Sequence, residues 1–158
     1  MIRPMGTEIE RRFLVRVKRL PKLRTGSHYE QGYLSTKPVV RVRATPEGCW
    51  MTVKGPGKVS RGEWEYPIPA RDADEMLELC KARLTKTRRK VRVGAHTWDL
   101  DEFLGRHEGL WIAEVELLSV EEGFELPEWV GREVTYDSRY SNASLARAAR
   151  PPARKVRV

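Results

Sequence analysis

Short segments of alternating apolar and polar residues make up most of this chain, separated by turn residues such as Gly55-Pro56-Gly57. A period of two residues is typical of β-strands that bury one face, and short turns between such segments are typical of antiparallel hairpins. The pattern predicts eight strands, at Glu8–Val15, Tyr29–Ser35, Val39–Ala44, Trp50–Lys54, Glu63–Pro69, Lys86–Val93, Thr97–Phe103 and Trp111–Leu118.

Two other segments have helical spacing. Apolar residues recur at intervals of three or four from Ala73 to Cys80, and Asp72 precedes them as the predicted N-cap. A second helix is predicted within Ser141–Ala149, where Pro151-Pro152 ends it. A hairpin-rich chain hides its strand edges by closing on itself. The predicted fold class is therefore mainly β (α+β), a closed eight-stranded antiparallel β-barrel with a few flanking helices.

Length and charge predict one domain followed by a short basic tail. A chain of 158 residues fits a single domain that buries its own core. The formal net charge is +8, yet five cations and no acid lie between Arg147 and Arg157. We therefore predict a domain at residues 1–147 and a basic, mobile tail at 148–158. Because the basic balance belongs partly to this tail, nucleic acid is not an expected partner.

The cysteines and the N-terminal residues indicate a reducing compartment. Cys49 and Cys80 lie far apart and form no CxxC pair, so no disulfide framework is expected. The first 15 residues contain no apolar stretch long enough for a signal peptide or a membrane span. The expected location is the cytoplasm, with no membrane partner.

Charged residues occupy one face of nearly every predicted strand, and within most strands they are grouped by sign. Glu8, Glu10 and Arg12 share one face of the first strand, whereas Ile9 and Phe13 lie on the other. The same arrangement recurs in later strands, at Arg41 and Arg43, Thr52 and Lys54, Arg61, Glu63 and Glu65, Lys86 and Arg88, Asp99 and Asp101, and Glu114 and Glu116.

A single strand of this kind would be interpreted as having one face in solvent. Here, however, the apolar faces need a cover, and two short helices do not cover eight strands. A closed barrel instead places the charges in its interior. That interior has to hold water and ions, because burying so many unpaired charges in a dry core would cost more free energy than a small domain gains on folding. Arg and Lys suit phosphate oxygens and carboxylates suit divalent cations, so the pattern indicates a metal–polyphosphate site.

The residues that carry this pattern also resemble a known family. EIERRFLV resembles the ExExK motif that opens proteins of the CYTH, or triphosphate tunnel metalloenzyme, family. Later blocks resemble its short bacterial branch in the same order: EQGYLS, VVRVR, MTVKG, SRGEWEYPI, KTRRKV, TWDLDEF, AEVEL and EVTYDSRYSN. The resemblance runs from Glu8 to Leu145. It implies an eight-stranded tunnel in which Mg²⁺ or Mn²⁺ assists hydrolysis of inorganic triphosphate (tripolyphosphate) to diphosphate and phosphate.

The resemblance also implies a role for individual residues. The implied metal ligands are Glu8, Glu10, Asp101, Glu114 and Glu116. The implied triphosphate-binding residues are Arg12, Arg41, Arg43, Lys54, Arg61, Lys86, Arg88 and Arg139. The remaining implied catalytic residues, beside Arg12, are Glu63 and Glu65, which would hold water or a second metal, and Tyr33, which would hydrogen-bond a phosphate or a water.

One position departs from the family motif, because Arg12 stands where ExExK ends in Lys. Arg binds phosphate but does not readily release a proton. If the chemistry needs a Lys that deprotonates, turnover should be slow; if the position only neutralises charge, little is lost.

Several alternatives therefore stay open: an enzyme acting on an organic triphosphate such as ATP or thiamine triphosphate, an adenylate cyclase, or a non-catalytic polyphosphate-binding module. A homodimer is a further open alternative. The five tryptophans are interpreted as packing anchors, which favours inorganic triphosphate over a nucleotide; they are Trp50, Trp64, Trp98, Trp111 and Trp129.

Overall fold

The computed structural model describes residues 6–153, in which nine strands form one antiparallel sheet. The strands are β1 (Thr7–Val15), β2 (Ser27–Thr36), β3 (Val39–Thr45), β4 (Gly48–Lys54), β5 (Ser60–Ile68), β6 (Ala82–Val93), β7 (His96–Phe103), β8 (Trp111–Glu116) and β9 (Val130–Glu133). The helices are α1 (Ala70–Leu79) and α2 (Asn142–Arg147), with single 3₁₀ turns at Val17–Arg19, Gly105–His107 and Ser138–Tyr140.

Strands β1 to β8 close into a barrel. Their order around the ring is β5-β4-β3-β2-β6-β7-β8-β1, and residues 7–9 of β1 pair with residues 60–62 of β5 to complete it. The predicted closed eight-stranded antiparallel barrel is confirmed. β9 lies outside the predicted set and pairs with β1 at Phe13 and Val15. Its four residues, VGRE, are too few to show an alternation, so the sequence carries no signal for it.

Both predicted helices exist, but the first begins earlier than predicted. α1 starts at Ala70 after Pro69, and the prediction of Asp72 as its N-cap is wrong. Pro69 suits the start of a helix because its fixed φ and missing N–H are tolerated there. Asp72 instead lies in the first turn, where its carboxylate favours the positive end of the helix dipole. α2 begins after Ser141, whose Oγ accepts a hydrogen bond from the Ser144 N–H at 3.1 Å.

Three apolar clusters surround the charged part of the barrel, and two of them lie on the outward faces of the strands. α1 covers part of β3 and β4 through Ala73 and Leu77, which pack with Val42 and Cys49. α2 packs through Leu145 into a second cluster, which contains residues of β6, β7 and β8 that share the inward faces of Lys86 and Asp101. The third and largest cluster lies on β1, β7 and β8, and the segment at 117–130 covers it. α1 and this segment therefore cover outward faces of the barrel, whereas α2 lies against the apolar end of its interior and contributes to the tunnel lining.

The five tryptophans differ in their surroundings: Trp64 is 47% exposed, and Trp111 packs against the edge of the core. Trp98 and Trp129 are buried, and their rings meet edge to face with centroids 5.5 Å apart, so the packing interpretation is confirmed for these two. It is wrong for Trp50, which lines the interior cavity, since its position in β4 shares a face with Thr52.

No helix in the described part of the chain is long and apolar enough to cross a membrane.

Candidate active site

The barrel encloses a cavity of about 870 Å³, called the tunnel below. Seven acidic and eleven basic side chains line it. Fourteen of the residues predicted for the site are among its lining residues: Glu8, Glu10, Arg12, Tyr33, Arg41, Arg43, Lys54, Arg61, Glu63, Glu65, Lys86, Arg88, Glu114 and Glu116. The alternation of the strands therefore brings to one cavity residues that the chain separates by more than 100 positions.

Asp101, predicted as a metal ligand, is fully buried and is not among the residues that line the tunnel. Its Oδ2 accepts from Lys86 Nζ at 2.7 Å and from Arg88 Nη2 at 2.8 Å, and its Oδ1 accepts from Arg88 Nε at 2.7 Å. Burial alone would raise the Asp101 pKa, but Arg88 and Lys86 outweigh it and lower the pKa to about 2. In this structure Asp101 holds two cations that line the tunnel.

Arg139, predicted as a phosphate-binding residue, also lies outside the tunnel lining. Its side chain is 53% exposed and pairs with Asp137, with Nη2 to Oδ2 at 2.7 Å. Asp137 is the N-cap of the Ser138–Tyr140 turn, which contains Arg139, so this pair forms locally. Binding of a phosphate in the tunnel by Arg139 would require the turn to rearrange.

Glu8 and Glu63 form salt bridges with cations of the tunnel. Both oxygens of Glu8 lie 3.0 Å from Lys54 Nζ, and Arg61 Nε donates to Glu8 at 3.1 Å. Glu63 contacts the same ammonium at 3.3 Å. Burial raises the Glu8 pKa, but Lys54 and Arg61 reverse the shift and lower it to about 2. Glu8 is therefore ionised and hydrogen-bonded as the tunnel stands.

Glu10 and Glu114, in contrast, lie close together and share one cation. Arg12 Nη2 lies 3.2 Å from Glu10 and 3.1 Å from Glu114, so one guanidinium serves two carboxyl groups. Burial and the charges of Glu114 and Glu8 raise the Glu10 pKa well above its ordinary value. Burial alone would raise the Glu114 pKa, but the charge of Arg12 and a hydrogen bond from Glu10 outweigh burial and lower the pKa. Both pKa shifts are explained by a protonated Glu10 that donates a hydrogen bond to an ionised Glu114.

Arg12 itself stays charged. Although burial lowers its pKa, Glu114 and Glu10 raise it above the ordinary value of an arginine. At this position of the tunnel the chain therefore places a permanent cation between two carboxyl groups, where it neutralises charge and does not exchange protons.

Three other basic residues of the tunnel, Arg41, Arg43 and Lys86, have fewer acidic partners than Arg12 or Arg88. Arg41 donates to Thr52 at 3.0 Å and reaches Glu65 at 3.4 Å, while its buried Nε has no hydrogen-bond partner within residues 6–153. Burial lowers the Arg43 pKa to about 10, and Arg41 and Arg88 contribute in the same direction. Burial also lowers the Lys86 pKa to about 7, although the negative charge of Asp101 alone would raise it. Crowded cations of this kind favour an anion with several oxygens.

The tunnel contains residues that the sequence reasoning did not assign to the site. Tyr29 shares the inward face of β2 with Tyr33, and Lys90 continues the series of Lys86 and Arg88, so alternation carried a signal for them. Gln31 lies on the same face of β2 but is fully buried behind the lining. Lining residues outside the strands carried no periodic signal; they are Lys37, Lys58, Ser138, Ser141, Asn142, Ala143, Ser144 and Arg147.

Carboxylate oxygens in the tunnel are the hard donors that suit Mg²⁺ or Mn²⁺. Within residues 6–153 no three of them converge as a ready-made metal site, because salt bridges draw them towards Lys54 and Arg12. The crowded pair of Glu10 and Glu114 nevertheless fits a divalent cation, since a cation there would take the place of the shared proton.

Comparison with known proteins assigns the chain to a family. The model of the CYTH domain matches residues 6–149. An inorganic triphosphatase from Acetivibrio thermocellus is 45% identical over 148 residues, which are 90% of this chain and 95% of that protein. An inorganic triphosphatase from Nitrosomonas europaea is 35% identical over 147 residues, covering 89% and 97% of the two chains.

Among solved structures, the inorganic triphosphatase NE1496 superposes with a TM-score of 0.67 at 33% identity, covering 94% of this chain and 99% of the other. The described barrel, its charged interior and these matches agree, and the chain belongs to the CYTH domain family.

Proposed function

We propose that this protein hydrolyses inorganic triphosphate to diphosphate and phosphate with the help of a divalent metal ion, Mg²⁺ or Mn²⁺. The observation that carries the proposal is the tunnel, in which eleven basic and seven acidic side chains line one cavity. Relatives covering about nine-tenths of this chain are named inorganic triphosphatases, which supports the same substrate.

The basic residues of the tunnel would bind and align the substrate. Hydrolysis of a phosphoanhydride depends mainly on neutralising charge and holding the attacking and leaving oxygens in line. Arg41, with its unpartnered Nε, and Arg43, with four N–H groups not used in hydrogen bonds to described residues, present fork-shaped donors for phosphate oxygens. Lys86 and Arg88 extend this set, and Asp101 fixes their direction.

The acidic residues of the tunnel would hold the metal ion. We assign the role of ligands to Glu8, Glu10, Glu114 and Glu116, which line the tunnel, and give Asp101 the different role of positioning two cations. A divalent ion bound here supplies Lewis-acid stabilisation of phosphate charge. Arg12 complements it as a permanent cation between Glu10 and Glu114.

Two further residues would handle the water. Burial and the charge of Glu8 raise the Glu63 pKa, which makes Glu63 a better acceptor for the proton of an attacking water than an ordinary carboxylate. Glu65 is held by Thr52 at 2.8 Å and would line the same path. Burial raises the Tyr33 pKa, so Tyr33 stays neutral and acts as a hydrogen-bond donor to a phosphate or a water.

A substrate screen tests the proposal. Purified protein is assayed for phosphate release from tripolyphosphate, ATP and thiamine triphosphate, each with Mg²⁺ and Mn²⁺. We expect tripolyphosphate to be the best substrate. Because Trp50 and Tyr29 line the tunnel, faster turnover of a nucleotide is the specific alternative, and cyclic AMP formed from ATP would show a cyclase. A protein that tripolyphosphate stabilises thermally but does not turn over would be a binding module.

Replacing Arg12 with Lys should not accelerate the reaction. Arg12 contacts Glu114 through both Nε at 3.3 Å and Nη2 at 3.1 Å, and a single ammonium cannot reproduce that geometry. We expect kcat to stay the same or to fall by up to about tenfold, because Lys keeps the charge and loses one hydrogen bond, which contributes about 0.5–1.5 kcal/mol. Steady-state assays of both proteins measure this. A tenfold rise in kcat would mean that the missing lysine limits turnover.

Metal affinity should rise with pH. Since the Glu10 pKa is raised, Glu10 carries a proton in the metal-free protein at pH values where an ordinary Glu is ionised, and metal binding has to release it. We expect proton uptake to weaken Mg²⁺ or Mn²⁺ binding as pH falls through this raised value. Calorimetric titration at pH 6 and pH 8, in buffers of different ionisation enthalpy, measures affinity and proton release together. An affinity and proton count independent of pH would contradict it.

The domain boundary and the oligomeric state stay predictions. Arg106 Nε donates to the Ala148 carbonyl at 2.7 Å, so the described chain stays in contact with the barrel at least one residue beyond the predicted boundary. Part of the predicted tail, residues 154–158, lies outside the described residues. For the homodimer, the half-exposed Trp64 and Tyr66 share the outward face of β5 and are the surface to examine.

A further inference from the structure

A chain of neutral amides links two cations of the tunnel to α2. Asn142 Oδ1 accepts from Lys86 Nζ at 2.8 Å and lies 3.5 Å from Gln31 Nε2. The same Gln31 amide nitrogen lies 3.2 Å from the Tyr33 hydroxyl, and Gln31 Oε1 accepts from Arg43 Nε at 3.0 Å. Gln31 is fully buried, although a glutamine is usually exposed.

We propose that Asn142 and Gln31 are positioning residues that aim Lys86 and Arg43 at the substrate, which makes α2 part of the substrate-binding machinery. This inference rests on the proposed triphosphate function of the tunnel.

Neutral partners suit this task better than carboxylates. A carboxylate beside Arg43 would orient the guanidinium but would also neutralise the charge that attracts a polyphosphate. The Gln31 carbonyl orients Arg43 through one N–H and leaves both its charge and its other N–H groups available. Asn142 does the same for Lys86, whose carboxylate partner Asp101 is shared with Arg88.

α2 is held firmly enough to act as a support. A helix of six residues is not stable by itself, so its position depends on contacts with the barrel. Leu145 is fully buried in the core, and its carbonyl accepts from His107 Nε2 at 2.6 Å. Arg106 Nη2 donates to the Ala146 carbonyl at 2.6 Å. These contacts fix the end of α2 away from Asn142, which limits the movement of the Asn142 side chain.

A double-mutant cycle tests whether Asn142 acts through Lys86. Tripolyphosphate binding is measured by calorimetry without metal, so that turnover does not interfere, in wild type, Asn142→Leu, Lys86→Met and the double variant. We expect Asn142→Leu to weaken binding about tenfold when Lys86 is present, and less than about twofold when it is Met. Low ionic strength strengthens binding and keeps the weakest variant within range.

Two further measurements separate positioning from folding. Val130→Ala removes buried apolar contacts of β9, outside the tunnel and away from α2; it should lower the melting temperature and leave tripolyphosphate affinity within about twofold of wild type. Gln31→Met combined with Arg43→Met provides a second, independent cycle with the same expected coupling.

Equal losses from Asn142→Leu in both backgrounds, or no loss in either, would overturn the inference. Wild-type protein that binds tripolyphosphate neither without metal nor with Mg²⁺ would overturn both the inference and the proposed function. Wild-type protein that binds but never hydrolyses tripolyphosphate, with coupling intact, would overturn only the proposed function.

Discussion

Glu10→Gln should abolish metal-dependent hydrolysis while the protein stays folded. Glu10 contributes an oxygen to the crowded carboxylates of the tunnel, and the amide keeps its shape but cannot bind a cation as a carboxylate does. Lewis-acid stabilisation by a metal ion is worth several kcal/mol. We therefore expect kcat/KM for tripolyphosphate to fall by about 100-fold or more.

The same substitution should improve the stability of the metal-free protein at alkaline pH. A carboxyl group whose pKa is raised on folding supports the folded state at low pH and loses that support as pH rises through the folded pKa. Gln resembles the protonated form at every pH. Urea unfolding with a chelator at pH 5 and pH 8 should show equal stabilities at pH 5 and a more stable variant at pH 8.

Glu102→Gln is the matched control for this experiment. Glu102 lies on the opposite face of β7 to Asp101 and pairs with Arg89 at 3.0 Å, outside the tunnel lining. Its replacement should leave both hydrolysis and its metal dependence unchanged. Normal hydrolysis by Glu10→Gln would contradict the assignment of Glu10 as a metal ligand.

Asp101→Asn should destabilise the fold and weaken substrate binding without a direct effect on metal affinity. The substitution leaves the buried Lys86 and Arg88 without their shared carboxylate. Removing one partner of a buried ion pair costs about 3–5 kcal/mol. The free energy of unfolding should fall by that amount, and tripolyphosphate affinity should fall because two cations lose their orientation. Urea unfolding and calorimetric titration measure the two effects.

Asp99→Asn provides the comparison two residues away on the same face of β7. The Asp99 side chain is 28% exposed and contacts Arg88 Nη1 at 3.2 Å. A partly exposed pair of this kind contributes about 0–1 kcal/mol, so stability should change little. If Asp101→Asn instead removed Mg²⁺ binding and left the free energy of unfolding unchanged, Asp101 would be a metal ligand after movement of Lys86.

The fate of individual residues shows how far a sequence can predict such a site. Alternation within a strand is a local property, and it correctly placed Glu10 and Glu114 in one cavity. Whether an inward residue reaches the open space depends on its neighbours across the sheet. Asp101 shares the inward face, but it lies directly opposite Arg88 and is enclosed by the two cations that it binds. That enclosure is a tertiary effect that no spacing along the chain reports.

Residues outside the strands were harder to predict for a different reason. Arg139 and Asn142 belong to the same motif block, yet Arg139 pairs with its neighbour Asp137 and Asn142 reaches the tunnel. Only the path of the chain after β9 decides between these outcomes, and that path depends on the packing of Tyr140 and Leu145. The strand β9 itself escaped prediction because four residues are too few for a periodicity.

The ion pairs of the tunnel also make metal and substrate binding interdependent. Glu8 and Glu114 are occupied by Lys54 and Arg12, so a metal ion has to displace these cations. A triphosphate could then engage the released Lys54 and Arg12, and each ligand would offset the disruption that the other causes. Thermodynamic linkage requires the effect to be reciprocal. Metal and triphosphate should therefore bind with positive cooperativity, and each alone should bind more weakly than its own contacts suggest.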